Sequence, residues 1–319
     1  MFNKIDMVAV KAAALIDKID AMLPVPAAND WKAIAYRWQK MDGGIFGGSR
    51  GTLVPVRQPH VIHLSDLYDI DEQKQRLVAN TKQFVEGKTA NNVLLTGARG
   101  TGKSSLVKAV LHRFAKQGLR LIEVDRADLI DLPTIADWVA GRPEKFIVFA
   151  DDLSFEAGDA AYKALKSILD GGVAAPIENM LVYATSNRRH LMPEMMLENE
   201  QAVHTADGEI HPGETTEEKI SLSERFGLWL SFYPFDQTQY LAIARHWLAV
   251  LSAKMKVDEN HFRQAALLWA LERGARSGRI AYQFARDYAG SAAVTTKPAV
   301  KKSPRMVAVI KPARVMRRR

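Results

Sequence analysis

The stretch Gly97-Ala98-Arg99-Gly100-Thr101-Gly102-Lys103-Ser104 fits the pattern G-x-x-x-x-G-K-[ST]. In such a loop the glycines let backbone N–H groups turn inward around phosphate oxygens. The lysine reaches the terminal phosphates, and the serine hydroxyl is placed to hold Mg²⁺. Val93-Leu94-Leu95 before it is a short apolar run suited to a buried parallel strand. After it, Leu106, Val110 and Phe114 recur at helical spacing, so a helix beginning near Ser104 points its positive end at the same anion. Strand, loop and helix together separate this stretch from an ordinary glycine turn. They point to Gly97, Ala98, Arg99, Gly100, Thr101, Gly102, Lys103, Ser104 and Ser105 as a cradle for a nucleotide's phosphates.

Two further apolar runs end in polar groups. Lys145-Phe146-Ile147-Val148-Phe149-Ala150 leads into Asp151-Asp152. In open parallel sheets, ligands sit outside the carboxyl ends of the strands. Asp151 is therefore expected to bind Mg²⁺ together with Ser104, and Asp152 to orient or deprotonate an attacking water. Met180-Leu181-Val182-Tyr183-Ala184 ends in Thr185-Ser186-Asn187, where the Asn187 amide is suited to the γ-phosphate or the water.

The chain has 319 residues, 47% hydrophobic and 25% charged, as expected of a globular protein with room for two domains. With no cysteine, disulfides and thiolate metal sites are excluded, which fits a reducing, cytoplasmic setting. Asp6, Lys11, Asp17 and Lys18 interrupt any signal-peptide core, and no apolar run is long enough to span a membrane. The net charge of +8 is unevenly spread. Residues 289–319 hold nine cations and no acid, so residues 1–288 carry a net −1. That proline-containing tail is expected to be disordered. It serves either as a solubilising end or as a contact for nucleic acid or acidic membrane.

Along the chain, residues 3–23 pattern as an amphipathic helix and 31–41 as a short helical stretch. Gly43, Gly44, Gly47, Gly48 and Gly51 then form a linker, giving an N-terminal region over 1–59. Strands near 93–97, 119–125, 145–151, 180–187 and 228–235 alternate with helices near 72–85, 103–117, 133–140, 156–169 and 190–199. This pattern predicts a three-layer α/β domain with a parallel sheet over 60–235. Residues 200–218 pattern as a loop. From 236 to 289 the pattern is all-helical, a small separate domain, and 290–319 is the basic tail.

The ordered set Asn91–Leu106, Asp151–Glu156, Thr185–Leu191 and Ser223–Leu228 resembles the AAA+ ATPases. Over roughly residues 60–290 the chain is similar to an uncharacterised bacterial AAA+ family known as a domain of unknown function. The resemblance implies a P-loop NTPase sheet of AAA+ type followed by a helical lid, using ATP and Mg²⁺. It implies that Asn187 senses the nucleotide and that Arg225 is an arginine finger reaching a neighbouring subunit's nucleotide in a homo-oligomer. It also implies that Tyr68-Asp69-Ile70-Asp71 lies beside adenine, and that Arg279, with Arg276 as rival, is a lid arginine. Most AAA+ motors carry Asp-Glu where this chain has Asp151-Asp152. Aspartate is one methylene shorter, and Glu156 is a nearby substitute base. Residues 125–133 lack the aromatic–apolar–glycine loop of protein-threading machines, which argues against an unfoldase. The expected activity is ATP hydrolysis that remodels an unknown protein partner. The alternatives are an ATP-gated switch with little turnover, and, less favoured by the helical lid, a small-molecule kinase.

Overall fold

Six strands run parallel in one sheet, and a seventh closes one edge antiparallel. The computed structural model describes residues 31–41, 50–155, 159–171, 178–187, 203–204, 210–211, 222–252 and 257–295. The strands are β1 (Ala35–Met41), β2 (Arg50–Pro55), β3 (Val93–Gly97), β4 (Leu119–Glu123), β5 (Lys145–Ala150), β6 (Met180–Ser186) and β9 (Leu228–Phe232). A separate two-residue ladder pairs β7 (Val203–His204) with β8 (Ile210–His211), inside the expected loop. The sheet order is β2-β1-β4-β5-β6-β3-β9, with only β1 and β2 antiparallel.

The central strands β3, β5 and β6 are buried on both faces, which is why they are continuous apolar runs rather than alternating ones. Helices α1 (Asp71–Val85) and α2 (Lys103–Phe114) cover one face. Helices α3 (Leu132–Val139) and α4 (Ala160–Asp170) cover the other. Leu77, Phe84, Leu106, Val110 and Phe114 pack against Leu95 and Tyr183 on the first side. Ile135, Val139 and Leu165 pack against Phe146 and Val148 on the second. A buried polar knot ties α1 to β6: the Tyr183 hydroxyl lies 2.8 Å from Thr81 Oγ1 and 3.2 Å from Asn80 Nδ2.

Of the expected helix over 31–41, residues 35–41 form a strand instead and 31–34 a turn. Tyr36 and Trp38 are fully buried on one face, with Ala35 buried on the other. The alternation Tyr36-Arg37-Trp38-Gln39 has the strand period of two, and the exposed edge of β4 supplies a ladder partner. Gly51, expected in a linker, lies in β2. A Cβ there would sit 1.7 Å from the Trp38 ring, so its lack of a side chain makes room for the indole. Trp38 Nε1 donates to Asp131 at 2.9 Å. The expected helices over 3–23 and 190–199, Gly43 to Gly48, Glu156 and residues 296–319 lie outside the described residues.

Among the described residues, three helices follow the sheet: α5 (Gln237–Leu251), α6 (Glu259–Glu272) and α7 (Gly278–Thr295). Asp236 opens α5 with a reciprocal capping box to Gln239, and Asp258 caps α6. Tyr240, Ile243, Ala244 and Leu248 of α5 share a core with Ala281, Phe284 and Ala285 of α7. The last helix runs six residues beyond the expected end at 289. Among the described residues, no helix is long and apolar enough to cross a membrane.

Candidate functional site

The sheet order decides what meets at its carboxyl edge. Strand β6 lies between β3 and β5, with Thr96 level with Ser186 and Ala150 level with Ala184. The loop after β3, the amide after β6 and the two carboxylates after β5 therefore emerge side by side. Gly97 turns the chain away from β3 with φ +129°, and a Cβ there would lie 1.9 Å from the Phe232 carbonyl oxygen of β9. Gly100, at φ +74°, lies directly under the lid, where a Cβ would be 2.8 Å from Ser277. Both positions need glycine for their conformation, Gly97 also for close approach to the β9 backbone and Gly100 for the Ser277 side chain.

Lys103 is buried, and its ammonium donates to Gly97 O at 2.8 Å, Ala98 O at 2.7 Å and Asn187 Oδ1 at 3.0 Å. All three N–H bonds are thus committed within the loop and to the amide after β6, and a phosphate oxygen would take one over. Burial pushes the ammonium below its ordinary range, against the opposing pull of Asp151 and Asp152. Ser104 Oγ donates to Asp151 Oδ1 at 2.6 Å. Thr185 donates to the same oxygen, and its own hydroxyl receives the Asp152 N–H at 2.9 Å.

Asp152 is in the left-handed region, with φ +55°. Its carboxylate receives the Asn187 amide and lies 3.9 Å from the exposed Arg99 guanidinium. Asn187 is therefore a bridge, accepting from Lys103 on one side and donating to Asp152 on the other. The oxygen donors Ser104 Oγ and Asp151 suit Mg²⁺, which is held in such sites by one or two carboxylates plus substrate phosphates.

These groups open into a cleft of about 810 Å³. Leu67, Tyr68 and Ile70 line one wall, and Trp247 and Tyr282 of the lid another. The Trp247 and Tyr282 rings meet edge to face, with centroids 4.8 Å apart. The lid is tied to the loop directly, because the Gly278 N–H donates to Gly100 O at 2.8 Å. Arg279 lines the cleft, whereas Arg276 is not among its lining residues. Arg225 is elsewhere, on a turn between β6 and β9, and its Nε donates to Asp170 at the end of α4.

With this geometry in hand, the family model described as "Protein of unknown function (DUF815)" matches residues 31–292. The chain belongs to this family. No curated protein matches it. Two mutant structures of RuvB from Thermotoga maritima, an AAA+ ATPase, are similar to this member of the DUF815 family. One carries a lysine-to-arginine and the other an arginine-to-alanine substitution. Each is 14% identical and covers 73% of this chain and 66% of its own, with TM-scores of 0.51 and 0.50. The chain thus spans slightly under two thirds of the RuvB length, and the likeness is one of fold: the AAA+ α/β fold with a helical region after it.

In this DUF815 member the residues from Arg99 to Ser105, Asp151, Asp152, Asn187 and Arg279 line one cleft, and Gly97 and Ala98 are joined to it through their carbonyls on the Lys103 ammonium. Arg225 does not join them, and Glu156 lies outside the described residues. Thr185, to which the sequence pattern assigns no role, holds the Asp151 carboxylate and the Asp152 backbone N–H. Its signal is a hydroxyl side chain where the apolar run of β6 gives way to Thr185-Ser186. Trp247 and Tyr282 carry no such signal, because lid aromatics at helical spacing pattern like core residues.

Proposed function

We propose that this chain binds ATP with Mg²⁺ in the cleft and hydrolyses it to ADP and phosphate, and that it does so as an oligomer. Arg225 would serve the neighbouring subunit, and turnover would move the lid against the sheet to remodel a protein partner. The observation that carries this reading is the joining of the loop and the β5 carboxylate through the Ser104–Asp151 bond, with the Lys103 ammonium held beside them. Ser104 and Asp151 would hold Mg²⁺, which would supply positive charge to offset that of the phosphates. Lys103, released from one of its carbonyl partners, faces the terminal phosphates. Asn187 positions the water, and Asp152 accepts its proton as the oxygen attacks the γ-phosphorus. The lid then senses the phosphate loop through Gly278 and Arg279, both beside Gly100.

One observation favours a second reading, in which ATP acts as a slow assembly switch. Asp152 is engaged by Asn187 and is short for a base, so an attacking water must compete for its carboxylate. Steady-state phosphate release separates the two. Activity that rises with protein concentration and vanishes in Lys103→Ala supports the ATPase. Tight ATP binding with negligible turnover at every concentration supports the switch.

A further inference from the structure

Arg225 is mounted firmly. Leu222 and Phe226 on either side of it are buried in the core of the second face, and the turn is closed by Arg225 N–H to Leu222 O at 3.3 Å and Phe226 N–H to Ser223 O at 3.2 Å. Its side chain remains 25% exposed and reaches Asp170, which is 42% exposed. Asp170 is the last residue of α4, before Gly171 at φ +78°. A carboxylate at that position opposes the helix dipole, and the last turn of α4 holds no basic residue to offset it. The position is unfavourable within α4 and is matched by a cation from another segment. A grip at Nε fixes the plane of a guanidinium, which otherwise swings on a long flexible stem.

We infer that Asp170 is a positioning residue: it orients the Arg225 guanidinium at the subunit surface for a neighbour's ATP. This rests on the reading in which Arg225 acts between subunits. It adds a coupling route, because α4 follows the β5 segment that carries Asp151 and Asp152. The arginine offered to a neighbour is thereby tied to the chain segment that lines the subunit's own cleft.

The test is Asp170→Asn, with ATP turnover measured across protein concentration. An amide relieves the clash with the helix dipole but loses a part-exposed ion pair of similar worth, so the melting temperature is expected to change little. Turnover per subunit is expected to fall about 10- to 100-fold, the scale of a misplaced catalytic group, with KM for ATP unchanged. Mixing Asp170→Asn with Lys103→Ala is expected to restore activity, because Lys103→Ala subunits still offer a correctly held Arg225. Asp170→Glu is expected to retain concentration-dependent turnover. Full activity in Asp170→Asn, or a loss that mixing does not repair, would overturn the inference alone. A wild type without concentration-dependent turnover would overturn the intersubunit reading and this inference together.

Discussion

Replacing Gly100 by alanine tests the direct tie between phosphate loop and lid. The residue has φ +74°, where an L side chain costs about 1–2 kcal/mol. The new Cβ would lie 2.8 Å from Ser277 Cβ and Oγ, and such overpacking costs about 1–3 kcal/mol. Displacing Ser277 also strains the Gly278 N–H to Gly100 O bond, worth about 1 kcal/mol. Together these give about 3–6 kcal/mol. Gly118→Ala is the internal control. It has φ +92° with nothing within 4 Å of its added Cβ, so only the conformational cost of about 1–2 kcal/mol applies. Urea unfolding followed by tryptophan fluorescence reads both losses, and titration with a fluorescent ATP analogue reads the site. Gly100→Ala is expected to lose more stability than the control and to bind ATP more weakly, because Arg279 moves with Ser277. Equal losses in the two variants, with equal ATP affinity, would refute a lid docked on the loop.

Two further expectations follow from named groups. Burial pushes the Tyr183 hydroxyl up to about 12 from 10.0, despite its bonds to Thr81 and Asn80. The unfolded chain therefore loses this proton first, and stability falls as pH rises from about 10 to about 12, by about 3 kcal/mol at 1.36 kcal/mol per pKa unit. Tyr183→Phe should be less stable than wild type near neutral pH and should converge on it across that window in urea unfolding; parallel curves would sink the assignment. Arg279→Ala should weaken ATP binding about tenfold or more, the worth of one charge-assisted hydrogen bond. Arg276→Ala should leave it unchanged, and the reverse order would show that the lid docks differently.

Sequence pattern exposed the strand–loop–helix unit around Lys103 because its glycine spacing and apolar periods are local properties of the chain. The Asp151-Asp152 pair and Asn187 were legible for the same reason: each ends a buried apolar run. Strand β1 was not. Its Trp38 and Tyr36 suit a helix face or a strand face equally, and the choice came from a partner edge on β4 more than 80 residues away. Nor was the role of Thr185, because its two bonds exist only once β6 is inserted between β3 and β5.

By itself the sequence determined a glycine-rich strand–loop–helix unit, the polar ends of two buried strands, and a helical segment after the α/β pattern. Each depends on residues close together in the chain, where backbone conformation and period decide. Only the tertiary structure decided which strand ends are neighbours, which lid arginine faces the cleft, that Gly100 bears the lid, and that Arg225 is held by Asp170. Those contacts join segments tens to more than a hundred residues apart, and they depend on strand order and packing rather than on local pattern.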